Sequence, residues 1–339
     1  VPSALRRMTD TGGTGYSEEW FEWVLAPGET FASEAVFQYA YAGEAYETGA
    51  GVSRALDRAV ENGFVPFLQR ALGAAAAPVE DIAPLWCSWS NINVNLSDAV
   101  VREQAELAAR AGFRGFLLDM GWARGDLGTE PDPEKFPDFK DTCEFVRSLG
   151  LKLGLWVSCY RDAASPDLAA VPDGPSVPIV RRHGGIGMSF AGPWREYYAR
   201  DLARLVREFG AAYFKQDFTN IKFGDIAEGH ESRTRKESLL RGLRGLLAAQ
   251  RKLAELAGGA VVPELTHEIY WGTPGVPCDV AALRHAGMFH IPPNDYSGAG
   301  DRKRRVNDSW PYDPAVLRAE LIRGCHNARQ RFYAHRGLP

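Results

Sequence analysis

From about residue 80 the chain alternates short, almost continuously apolar runs with longer stretches of helical period. Runs that are apolar at every position suit strands covered on both faces, so the pattern predicts an α/β parallel sheet or barrel. The predicted strands are Ile82–Trp89, Phe113–Asp119, Leu151–Val157, Ala211–Asp217, Val261–Glu268 and Gly287–Ile291. Pro263 weakens the start of the fifth, since it has no N–H for a ladder. Between them, one helix opens at the capping pair Ser97-Asp98 and stops at Gly112. Another starts at Pro193, suited to a first turn, and ends at Gly210. A long amphipathic stretch runs from Glu231 to Ala257, and a last helix is expected over Ala315–Arg329. A closed (β/α)8 TIM-type barrel needs eight strands. Six are predicted here, so the expectation is a barrel over residues 80–339 that lacks its last strand or strands at the C-terminus. The alternative is closure by strands hidden around Ile179–Met188.

The N-terminal part is patterned differently. Residues 19–25 and 34–41 read as strands around the turn Ala26-Pro27-Gly28-Glu29, too few to form a domain alone. Residues 1–48 are therefore expected to be the end of a β-sandwich. Residues 49–79 are expected to be a linking helix, Val52–Leu72, and a linker.

Candidate chemistry gathers where the predicted strands end. Lys215 and Asp217 are two apart in a strand, so they share a face. An ammonium beside a carboxylate at a strand's carboxyl end is where such barrels place reactive groups, and it would keep that carboxylate ionised as a nucleophile or metal ligand. The run Phe113–Leu118 ends likewise in Asp119, followed by Gly121-Trp122, and Gly287–Ile291 leads through Pro292-Pro293 to Asp295. His267-Glu268 has no second His four residues on, so it is no zinc-protease motif. Thr11–Gly15 lacks the Lys and helix of a phosphate-binding loop.

Composition narrows the field. A net charge of −4 with a pI near 6.0 offers no field to attract nucleic acid, and Asp301–Arg305 is a short basic loop. No run is long enough for a membrane span. The five cysteines, at irregular spacing and without a CxxC, make neither a disulfide framework nor a zinc site. They fit a reducing, cytoplasmic setting, and no cofactor or metal is called for.

In order along the chain, Trp86-Cys87-Ser88-Trp89, Asp119-Met120-Gly121-Trp122, Glu134-Lys135-Phe136-Pro137, Gly150–Trp156 and Tyr213–Asp217 resemble the melibiase-type α-galactosidases of glycoside hydrolase family 36. The resemblance covers residues 15–339. It implies a β-sandwich, a (β/α)8 barrel and a C-terminal β-domain, and retaining hydrolysis of terminal α-linked sugars without a cofactor. By that resemblance Asp217 is the nucleophile and Asp295 the acid/base, with Asp279 as the other candidate acid. Lys215, Asp119, Trp122, Trp89, Asp279 and Trp271 would bind substrate, and Glu268 is a residue behind the site. The partner implied is a small-molecule or oligosaccharide substrate, with no nucleic acid and no membrane; self-association is left open. Two departures stand out. Met120 occupies the place of the family's second carboxylate, and Gln216 stands between Lys215 and Asp217. Two other readings compete: a carbohydrate-binding protein that has lost hydrolysis, and a metal-dependent barrel lyase or isomerase using Lys215, Asp217, Glu264 and Asp295.

Overall fold

The computed structural model describes residues 22–33, 63, 65–72, 82, 84–90, 92–182, 184–218, 224–259, 261–266 and 288–290. In chain order the elements are α1 (Val65–Leu72), β1 (Leu85–Cys87), α2 (Asp98–Arg110), β2 (Gly115–Leu118), α3 (Phe139–Ser148) and β3 (Lys152–Ser158). They continue with β4 (Tyr160–Asp162), α4 (Pro166–Ala170), β5 (Arg181–Arg182), β6 (Gly185–Gly187), α5 (Trp194–Phe209), β7 (Tyr213–Asp217), α6 (Arg235–Leu256), β8 (Val262–Thr266) and β9 (Met288–His290).

All six predicted strands are present, as β1, β2, β3, β7, β8 and β9. They form one sheet in that order with every neighbouring pair parallel. An order that never reverses is the arrangement of (β/α) barrels rather than of doubly wound sheets. The stretch around Ile179–Met188 does not supply further strands to this sheet. Its residues form β5 and β6, which join β4 in a separate antiparallel sheet of order β4-β6-β5. β4 itself follows β3 after one residue, too short for the crossover that a parallel neighbour requires, and β6 joins it as an antiparallel strand with β5 beyond.

The helices end where the capping chemistry stops them. Ser97 accepts the Val100 N–H at the start of α2, Thr234 accepts the Glu237 N–H at the start of α6, and α5 ends at Gly210 in the left-handed region. On the helix-covered face of the sheet, Phe116, Leu118, Leu153, Leu155, Val157 and Phe214 pack against buried residues of α2, α3 and α5. Each such side chain contributes about 1.5–3 kcal/mol when fully buried. The α6 helix approaches closely because Gly245 has no side chain: a Cβ there would lie 1.9 Å from the Phe190 carbonyl oxygen.

The turn at Ala26–Glu29 forms as predicted, closed by the Glu29 N–H to the Ala26 carbonyl at 3.0 Å. Residues 22–25, expected to be in a strand, carry no strand pairing among the described residues. Trp23 docks instead on α6, with Arg241 4.2 Å over its ring and Arg244 5.2 Å from it, and Glu29 of the turn pairs with Arg233 just ahead of that helix.

Candidate active site

The opposite face of the sheet is layered. Lowest lie Leu85, Cys87, Leu117 and Tyr213, with the Tyr213 ring lying across Gly154, where a Cβ would sit 2.5 Å from it. Strand register then sets Trp156 beside Lys215, and Ser158 beside Asp217 at the strand ends. The period-2 reasoning therefore holds for Lys215 and Asp217.

Lys215 and Asp119 form a buried ion pair, Nζ to Oδ2 at 3.0 Å, with 4% and 2% of their side chains exposed. The same carboxylate oxygen accepts the Cys87 thiol at 3.3 Å, while Oδ1 accepts the Met120 N–H at 2.9 Å. Ser88 Oγ accepts the Asp119 N–H at 2.9 Å. Burial by itself pushes the Lys215 ammonium toward losing its proton, but the charges of Asp119 and then Asp217 outweigh it and hold the pKa above the ordinary lysine range. Burial, followed by the Asp119 charge, pushes the Cys87 thiol well up, so it stays a protonated donor.

The Asp217 carboxylate is half-buried and oriented from two sides. The Trp156 indole N–H donates to Oδ2 at 3.1 Å, and the Phe218 N–H donates to Oδ1 at 2.9 Å. Its main chain is held as well, by the Cys159 N–H to the Asp217 carbonyl at 3.0 Å. Trp156 packs edge-on against Phe218, 5.5 Å between ring centroids. Met120, Val180 and Phe218 pack on the cluster of Leu127, Trp156 and Tyr160, so this side of Asp217 is apolar. Gln216 points to the other face, where its side-chain amide exchanges two hydrogen bonds of 2.8 Å with Gln250 of α6.

The structure places the expected site residues as follows. Asp119 was expected to hold sugar hydroxyls. It is buried, and both of its oxygens are occupied by protein donors, so in this structure it braces Lys215. Trp122 was expected to line the sugar pocket. Its ring is fully buried, stacks on Phe139 at 5.2 Å and donates its N–H to the Trp156 carbonyl at 2.8 Å. It belongs to the helix-side core, because the turn at Gly121 (φ +113) directs the chain away from the strand end. Trp89 is half-buried in the 3-10 turn after β1 and packs on the Leu85 layer. Trp156 was not singled out, although its phase in β3 with Gly154 and Ser158 places it on the site face. Asp295, Asp279, Trp271, His267 and Glu268 lie outside the described residues. Glu264 is in register with Lys215 in β8, and its side chain lies outside the described set.

Comparison with known proteins follows the same direction. No family model matches the chain. It is 26% identical over 282 residues to an α-galactosidase of Escherichia coli, covering 77% of this chain and 37% of the relative. It is 24% identical over 232 residues to a probable α-galactosidase C of Aspergillus flavus, covering 60% of this chain and 29% of the relative. The chain thus spans about a third of the length of the curated relatives it matches. The fold is shared with an α-galactosidase from Lactobacillus brevis, TM-score 0.57 at 17% identity, covering 82% of this chain and 36% of that one. It is also shared with a variant GH36 α-galactosidase from Geobacillus stearothermophilus in complex with stachyose, TM-score 0.55 at 15% identity, covering 70% and 34%. In sequence the chain is similar, at low identity and over part of their length, to curated α-galactosidases, and it shares its fold with α-galactosidases of glycoside hydrolase family 36.

Proposed function

We propose that this chain carries the barrel of a retaining glycoside hydrolase that cleaves terminal α-linked sugars, α-galactosides first among them. Asp217 attacks the anomeric carbon as the leaving oxygen takes a proton from Asp295. Water, activated by the same Asp295, then releases the sugar from Asp217 with net retention. The observation that carries this reading is the Asp217 carboxylate. It sits at the carboxyl end of β7, half-exposed, with each oxygen aimed by an N–H donor and with the Lys215 ammonium on the same face. Those donors hold the carboxylate in one orientation, which is what a nucleophile needs. The second carboxyl of such a pair stands about 5–5.5 Å away across the scissile bond.

The test is hydrolysis of an aryl α-galactoside by the wild type, Asp217→Asn and Asp217→Gly. Loss of turnover in both variants, with azide restoring it in Asp217→Gly as a β-galactosyl azide, is the expected result. Near-normal hydrolysis by Asp217→Asn removes the assignment. Sugar binding by a wild type that never turns over would leave a carbohydrate-binding protein instead.

A further inference from the structure

Just past the nucleophile's neighbour on β3 lies a fully buried arginine that the proposed chemistry does not use. Arg161, in β4, is 0% exposed. Its Nη1 donates to the main-chain carbonyls of Ser158 at 2.6 Å, Tyr160 at 2.9 Å and Leu127 at 3.3 Å. Its Nε pairs with Asp167, Nη2 faces Asp201 at 3.7 Å, and the guanidinium lies 4.8 Å over the Trp194 ring. The two carboxylates are themselves fixed, Asp167 by the Tyr197 hydroxyl at 2.7 Å and Asp201 by Thr129 at 2.6 Å and Arg204 at 2.8 Å. One side chain thus ties the loop after β2, the end of β3 and the helix α5 that leads into β7.

Burying a guanidinium is costly, and apolar residues of the same volume would pack this space at least as well. What only a planar fork supplies is several donors at fixed angles, here to carbonyls of residues 158 and 160, where the chain bends from β3 into β4. That bend holds Asp217. Ser158 is its register partner, the Cys159 N–H binds its carbonyl, and Trp156 two residues earlier binds its carboxylate. We propose that Arg161 is a positioning residue, which sets the aim of the Asp217 carboxylate by gathering the backbone of residues 158–160. The inference rests on the glycosidase reading above for its catalytic consequence, and on geometry alone for its structural one.

The experiment compares Arg161→Lys, which keeps the charge but not the fork, with Thr129→Val, which loosens the same cluster without touching residues 158–160. Two readouts are taken: kcat and KM on an aryl α-galactoside, and the Trp156 indole N–H resonance, assigned through Trp156→Phe. Arg161→Lys is expected to lower kcat about 100-fold, the scale of an ångström of misplacement, with KM little changed. Its Trp156 resonance should move toward the position seen in Asp217→Asn, and Thr129→Val should leave both readouts alone. A folded Arg161→Lys with an unmoved Trp156 resonance overturns the proposal, as does an equal shift in Thr129→Val. Should Arg161→Lys not fold, Asp167→Asn carries the same two expectations and the same refutation. If Asp217→Asn stays active, the glycosidase reading falls while the Trp156 resonance still judges Arg161.

Discussion

Replacing Lys215 by Met removes the ammonium from a carboxylate that has no water to turn to. Asp119 has 2% of its side chain exposed and Lys215 4%, with 3.0 Å between Nζ and Oδ2. Breaking such a pair by deleting one partner costs about 3–5 kcal/mol, because a buried charge is stranded. The loss has a ceiling, since the stranded carboxylate can take up a proton. At a reference aspartate pKa, protonation costs about 4 kcal/mol at pH 7 and only about 1.5 kcal/mol at pH 5. Cys87 and the Met120 N–H remain as donors, which places the expected loss at pH 7 near the lower end, about 3 kcal/mol. Urea unfolding of the wild type and of Lys215→Met at both pH values measures it. The double variant Lys215→Met with Asp119→Leu, which removes both charges, should recover most of the loss. A loss below about 1 kcal/mol at pH 7, or one that does not shrink on acidification, would refute the claim that Asp119 is a buried anion held by Lys215.

Two further outcomes follow from the packing. Gly245→Ala gains helix propensity of about 1 kcal/mol, yet its Cβ would meet the Phe190 carbonyl, so a net loss of about 1–3 kcal/mol in urea unfolding is expected. Equal or greater stability would mean that α6 does not lie this close. His230 places Nδ1 on the Asp225 carboxylate and Nε2 2.7 Å from the Asp173 carbonyl, so both nitrogens donate and the ring is held as a cation. Its hydrogen bond to Asp225 raises the His230 pKa above the usual 6.5. Asp225, although burial pushes it up, is lowered below 3.8 on balance, by His230 first among its hydrogen-bond donors. Because the histidine's folded value is raised, its contribution is complete below pH 6.5 and is lost as pH climbs through the folded value. The stability difference between the wild type and His230→Phe should therefore shrink between pH 6 and pH 9; a difference that grows would contradict the pairing.

The legible parts of this protein are those decided by local chemistry. Unbroken apolar runs marked all six parallel strands, and Ser97 and Gly210 marked helix ends because capping is settled within a few residues. A strand's period of two put Lys215 and Asp217 on one face before any contact was known. The β4-β6-β5 sheet was not called, because a short polar-flanked run does not say which partner it pairs with.

What period and propensity leave open is the identity of each side chain's partner. Lys215 meets Asp119 across 96 residues, Trp156 meets Asp217 across 61, and Arg161 reaches the Leu127 carbonyl across 34. Trp122 is as large and amphipathic as Trp156, yet one is sealed in the helix-side core and the other donates its N–H to the Asp217 carboxylate. The sequence by itself determined which residues share a face, since backbone geometry repeats every two or 3.6 residues. Only the tertiary structure decided which of them are buried, paired or left open to a substrate, because those depend on chain segments that meet only when the strands lie in register and the helices close over them.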